Sequence, residues 1–138
     1  VSESNVRVVL GEKEAIEMLW PDMYSLINDG NFSGYALYNY NANYDIVSGR
    51  IWVNNAGMPI FTHELGHVLG FGHASTTYCG SNTGNNGSFM CSSLSNGFKN
   101  YDEAIIKTLY HPNIEVGRTF EELRPIVEAL LLSDEITF

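Results

Sequence analysis

The stretch Phe61-Thr62-His63-Glu64-Leu65-Gly66-His67-Val68-Leu69-Gly70-Phe71-Gly72-His73 decides how the rest of the chain is read. It has the form H-E-x-x-H-x-x-G-x-x-H. On a helix, His63 and His67 stand four residues apart, so their imidazoles leave one face a turn apart and both can reach one metal ion. Glu64 projects from the neighbouring side of that turn, where it can take a proton from water at the metal without being a ligand. A third ligand on the same straight helix would have to sit near position 70 or 71, and position 70 is glycine. Glycine accepts the left-handed backbone that ends a helix, so the spacing predicts a sharp turn at Gly70 that brings His73 back from another direction. Three imidazoles and one open position describe a catalytic zinc site, whereas a structural zinc site is closed by four protein ligands.

A bare H-E-x-x-H arises by accident in a chain of this length in roughly one case in a few hundred. Requiring the glycine and the third histidine lowers that to the order of 1 in 100,000. Three of the chain's 4 histidines fall inside this segment, which argues against a buried helix with incidental histidines.

At His63, Glu64, His67, Gly70 and His73 the sequence resembles the metzincin clan of zinc metallopeptidases, and Ser88-Phe89-Met90-Cys91 extends the resemblance. Metzincins place a methionine-containing turn beneath the zinc site, and Met90 is the suitably placed candidate. Taken alone, a methionine in a loop is more often a core gap-filler. The segment from motif to turn covers about a quarter of the chain. Some subfamilies carry a switchable tyrosine ligand two residues after the methionine; here that position is Ser92, so no tyrosine switch is expected. The resemblance implies an α+β fold in which a mixed twisted sheet, a backing helix and the zinc helix form the N-terminal part. A helical and irregular C-terminal part would lie below the cleft. One catalytic domain is expected over 1–138, with 1–73 above the metal and 74–138 below it.

The outer limits agree with this. A chain of 138 residues is large enough for a real core and small for a metallopeptidase. No apolar run approaches the eighteen or so residues needed to span a bilayer. There is no basic cluster, and the formal charge of −9 argues against nucleic acid or an anionic membrane surface as partner. The acidity favours cationic substrates only weakly, because salt screens surface charge beyond about 8 Å. A monomer acting on a protein or peptide is expected. The first residues, Val1-Ser2-Glu3-Ser4-Asn5, contain neither an initiator methionine nor a signal peptide, suggesting a trimmed or mature form with targeting and inhibitory segments upstream.

Cys79 and Cys91 lie between the third zinc histidine and the end of the methionine turn. Joined, they would close a loop of about a dozen residues and remove roughly 3 kcal/mol of disorder from the unfolded chain. That reading carries a secreted or periplasmic location with it; two reduced thiols in a cytosolic protein are the alternative.

From the N-terminus, Val6 to Leu10 reads as a short buried strand and Glu12 to Trp20 as helical, with Ala15, Ile16 and Leu19 on one side. Pro21 ends or kinks that helix, and Met23, Leu26 and Ile27 continue a second turn before the Asn28-Asp29-Gly30-Asn31 turn signature. Gly34 to Tyr40 alternates as a strand, and Tyr44 to Val53 is extended with an interruption at Ser48-Gly49. In the clan an edge strand borders the cleft and substrate pairs with it as a further antiparallel strand. Gly34, Tyr35, Ala36 and Leu37 are the candidate for that edge; an edge blunted by Asn39, Asn41 and Asn43 with no ligand is the alternative.

Asn54 to Gly57 reads as the loop before the zinc helix, with Thr62 in its first turn. Ser75 to Ser88 is irregular, and the wall of the specificity pocket is expected within Ser92 to Phe98. Asn82, Asn85, Asn86 and Asp45 carry oxygens of the kind calcium takes, but no EF-hand or nonapeptide pattern accompanies them. Asn100 to Glu103 resembles a capping box opening a helix through Tyr110, with Ile105, Ile106, Leu109 and Tyr110 on one stripe packed under the zinc helix. His111-Pro112 stops it, with His111 a helix-end cation or surface group. Thr119 to Glu122 caps another turn, and Pro125 suits the first position of a terminal helix through Leu132, with Ile126, Val127, Leu130 and Leu131 as its apolar face.

On this reading zinc would activate water against a peptide carbonyl, with Glu64 as base and then acid. A zinc hydrolase of another amide bond and a binding protein that keeps the fold without turnover are the competing classes.

Overall fold

The computed structural model describes residues 5–54, 57–74, 79, 88–91, 100–115 and 117–133. Among these residues three strands form one sheet, β1 (Asn5–Leu10), β2 (Gly34–Tyr40) and β3 (Ile46–Val53), in the order β1-β3-β2. β1 runs parallel to β3 and β2 antiparallel to it, so the sheet is mixed and β2 is an edge. Four α-helices accompany it among the described residues: α1 (Pro21–Ile27), α2 (Met58–Val68), α3 (Asn100–Leu109) and α4 (Phe120–Leu132). The fold is α+β.

The register divides the strand residues between two faces, because successive side chains alternate. Val9, Trp52 and Tyr35 share a cross-strand row. With Leu37 they pack on Ile16, Trp20, Met23 and Ile27, the backing layer supplied by a 3-10 turn at Lys13–Ile16 and by α1. On the opposite face Ile51, Val53 and Ala36 pack against Ile60, Phe61, Leu65 and Val68 of α2. Each fully buried aliphatic side chain among them, such as Ile51, Val53, Ile60 and Val68, is worth about 1.5–3 kcal/mol, enough to fix where α2 lies on the sheet.

Several expectations are corrected here, the first being the buried strand over Val6 to Leu10, which is mostly exposed along β1. Pro21 begins α1 rather than ending a helix: its ring presets the helical φ and it lacks an N–H where none is needed. The segment before it is only a 3-10 turn, and Leu19 is exposed. Ser48-Gly49 does not interrupt β3. A Cβ at Gly49 would stand 2.4 Å from Val68 Cγ1, so the glycine lets the last turn of α2 approach the sheet. Pro125 lies inside α4, which starts at Phe120; the Thr119 hydroxyl accepts from the Glu122 N–H and the Glu122 carboxylate accepts from the Thr119 N–H, a complete capping box.

Among the described side chains of α3, Asp102 and Ala104 are deeply buried, whereas Leu109 and Tyr110 from the expected stripe are exposed. Tyr110 nonetheless donates its hydroxyl to the Leu69 carbonyl at 3.1 Å. Thr62 sits past the first turn of α2 and donates to the Met58 carbonyl. His111 follows α3, and its Nδ1 accepts from the Asn113 N–H. The side chain of Asn100, Ser92 to Phe98, and Asn82, Asn85 and Asn86 lie outside the described residues. Asp45 accepts from the Asn41 side chain within its own turn. No helix among the described residues is long and apolar enough to cross a membrane.

Candidate metal centre

α2 ends as the sequence anticipates. Gly70 has φ +94°, the Gly70 N–H bonds to the His67 carbonyl, and the Phe71 N–H reaches back to the Gly66 carbonyl, both at 3.0 Å. This is the Schellman arrangement, and it needs a residue tolerant of positive φ at that place. The bend turns the chain so that His73 meets His63 and His67. Its Nε2 lies 3.2 Å from each of their Nε2 atoms. The possible ligand atoms of the three residues all lie within 4.8 Å of one another, with His63 buried, His67 half-buried and His73 exposed.

The protons show what this cluster is suited to hold. His63 Nδ1 stands 2.8 Å from the Phe89 carbonyl and His67 Nδ1 2.8 Å from the Phe71 carbonyl. A carbonyl only accepts, so each imidazole carries its proton on Nδ1 and presents a lone pair at Nε2. Two lone pairs and one further ring nitrogen converge, and a single proton on His73 Nε2 cannot satisfy both partners. A cation can. Nitrogens held at about 2.0–2.1 Å by a tetrahedral ion stand roughly 3.3 Å apart, close to the 3.2 Å found on two sides of this triangle. Burial, partly opposed by these carbonyl bonds, lowers the pKa of His63 and His67 below the ordinary imidazole value, which favours the neutral, ligating form.

Glu64 lies on the same turn of α2, 7% exposed. Burial pushes its carboxyl up to about 7, a value suited to a group that must both take and return a proton near neutrality. A cleft of about 550 Å³ opens over the three histidines and Glu64, with Gly34, Tyr35, Ala36 and Tyr38 of the β2 edge among its walls. Of the four candidate edge residues, Leu37 alone is not a wall of this cleft and packs on the backing layer. Gly34 has a reason beyond its strand: a Cβ there would stand 2.9 Å from Glu64 Oε1 and 2.5 Å from Ile60 Cγ2.

Beneath α2 runs the turn Ser88 to Cys91, all buried. Met90 Sδ would stand only 2.3 Å from a Cβ on Gly66, so helix and turn are in direct contact below the imidazoles. The Ala74 N–H donates to the Met90 carbonyl at 2.9 Å, and the rings of Phe71 and Phe89 meet edge to face. Cys79 and Cys91 form a disulfide, with Cα atoms 5.6 Å apart. This pairing is compatible with an extracytoplasmic location.

Sequence reasoning named Gly34 as an edge residue without its contact to Glu64, and it missed Gly66 and the pairing of Ser88 with Asp102. Asp102 reads as a helix-opening acid, but it is 2% exposed and accepts from the Ser88 hydroxyl and the Phe89 N–H. An acid in the first turn of a helix is ordinary and gives no hint of this role, and burial is not written in the sequence. Compared with protein-family models, with curated proteins and with solved structures, the chain gives no match.

Proposed function

We infer that the chain is a zinc-dependent endopeptidase of the metzincin kind, with His63, His67 and His73 as zinc ligands and Met90 as the turn methionine. One observation carries the reading: two imidazoles with lone pairs fixed by carbonyls converge on a third, beside a buried carboxylate in an open cleft. The all-imidazole donor set and the spacing of its nitrogens fit zinc. When bound, zinc supplies Lewis acidity, which makes water a nucleophile near neutral pH and stabilises negative charge developing on a carbonyl oxygen.

The chain's own groups do the rest. A Glu64 carboxylate oxygen takes a proton from the attacking water as its oxygen bonds to the peptide carbon. The same oxygen then delivers that proton to the departing amine nitrogen as the C–N bond breaks. Among the described residues nothing pairs with the outer edge of β2 beside this carboxylate, so an extended peptide can add to the sheet there and be held by its main chain. Gly34 and Ala36 keep that rim low. The disulfide and the shape of the site suit a secreted enzyme acting on proteins or peptides.

The experiment is cleavage of casein in a gel and of quenched peptides in solution, with and without a zinc chelator, on the native chain and on Glu64→Gln. Chelation should abolish cleavage and zinc restore it, while Glu64→Gln should keep zinc and lose at least about 100-fold in rate. Cleavage indifferent to chelation or to Glu64→Gln overturns the assignment. Stoichiometric zinc with no cleavage of any peptide in a library would leave a binding protein or a hydrolase of another amide.

A further inference from the structure

The carboxylate of Asp102, in the first turn of α3, is 2% exposed. Its Oδ1 accepts from the Ser88 hydroxyl and its Oδ2 from the Phe89 N–H at 3.1 Å. Ser88 Oγ in turn accepts the Met90 N–H at 3.0 Å. That N–H belongs to the Phe89–Met90 peptide plane, whose other end is the Phe89 carbonyl on which His63 Nδ1 rests at 2.8 Å. In a planar trans peptide the N–H and C=O cannot turn independently. Whatever holds the Met90 N–H therefore also aims the Phe89 carbonyl.

We propose that Asp102 is a positioning residue for the metal-ligand set: through Ser88 and the Phe89–Met90 peptide plane it holds the carbonyl that orients His63. It touches neither the imidazole nor any reacting atom. An asparagine in its place keeps the shape but has one acceptor oxygen and one donor NH₂ where two acceptors stood. Either the Ser88 hydroxyl or the Phe89 N–H would then face a donor, and the plane loses part of its clamp. His67 supplies an internal control, because its Nδ1 rests on the Phe71 carbonyl, which belongs to the bend that ends α2. The orienting role stands on these contacts alone; its consequence for zinc affinity rests on the metal-site reading above.

Asp102→Asn and Ser88→Ala test this by two readouts. In heteronuclear NMR of the metal-stripped protein, the His63 Nδ1–H should exchange with solvent at least about 10-fold faster in both variants, while that of His67 stays unchanged. In competition with a chromophoric chelator, zinc should bind roughly 10-fold more weakly or worse, the usual cost of losing a group that orients a ligand. Equal loss of protection at His63 and His67 would mean general loosening and overturn the proposal. So would folded variants whose His63 exchange and zinc affinity stay within about twofold of native, well short of that cost. If Asp102→Asn does not fold, Ser88→Ala, which keeps the carboxylate and removes the hydroxyl between it and the Met90 N–H, decides by the same criteria. A native chain that holds no zinc would sink the metal-site reading, and the exchange readout would still decide the positioning role.

Discussion

Alanine in place of Gly66 would gain about 1 kcal/mol of helix propensity, yet the packing sets a larger cost against it. Its Cβ would stand 2.3 Å from Met90 Sδ and 2.5 Å from Phe89 Cε2. Both neighbours belong to a buried turn tied to α3 and to the segment after the bend, so neither can simply step aside. Over-packing costs about 1–3 kcal/mol. Gly66→Ala should therefore lower stability by up to about 2 kcal/mol net in urea unfolding and also weaken metal retention, since Phe89 carries the acceptor for His63. A variant more stable than native would show that the turn yields freely. Residue by residue, His63, Glu64, His67 and His73 were legible because helix spacing and one glycine are local facts. Gly66 and Asp102 were not, nor was the closeness of Gly34 to Glu64, because these are set by side chains far away along the chain.

Among the elements, α2 and its Gly70 stop were readable from capping chemistry, and β2 from its alternation. The prolines misled: Pro21 and Pro125 each mark a helix, but which side of the ring the helix lies on is decided by packing and by the neighbouring cap. α1 is a short helix with no side-chain cap, and it is fastened to β3 by Arg50, whose guanidinium donates to both oxygens of Asp22 and lies 5.9 Å from the centre of the Trp20 ring. The hydrogen bond from Arg50 holds the Asp22 carboxyl well below the usual carboxylate range, at about 2. A depressed folded-state pKa means that the stabilisation is present above about pH 4 and is lost as the pH falls toward about 2. The Asp22 side chain is 59% exposed, so solvent screening holds the contribution under about 1 kcal/mol. Asp22→Asn should therefore cost a few tenths of a kcal/mol up to about 1 kcal/mol at pH 7 and nothing near pH 2. A deficit that persists undiminished in acid would assign the loss to packing of α1 rather than to the ion pair.

At the scale of the whole molecule, two staples act on the same small region. The Cys79–Cys91 disulfide ties the segment after His73 to the Met90 turn. Replacing both cysteines by serine should cost about 3 kcal/mol in denaturant unfolding, the chain entropy of a loop of this length. A loss near zero would mean that the loop is already confined in the unfolded chain. The imidazoles form the second staple, because an ion on His63, His67 and His73 would join α2 to the chain beyond its bend, and His63 is already tied to the turn below through Phe89. Free zinc at about 100 times its dissociation constant would add about 2.7 kcal/mol. For a chain of this size that corresponds to a rise in melting temperature on the order of 10 °C. The rise should saturate at one ion per chain, vanish with a chelator, shrink strongly in His73→Ala, and survive in Glu64→Gln, which removes the proposed base but none of the proposed ligands. Magnesium should not reproduce it, because it prefers six oxygen ligands and sheds its water reluctantly. A melting temperature indifferent to zinc would sink the metal centre itself, independently of whether any peptide is cut.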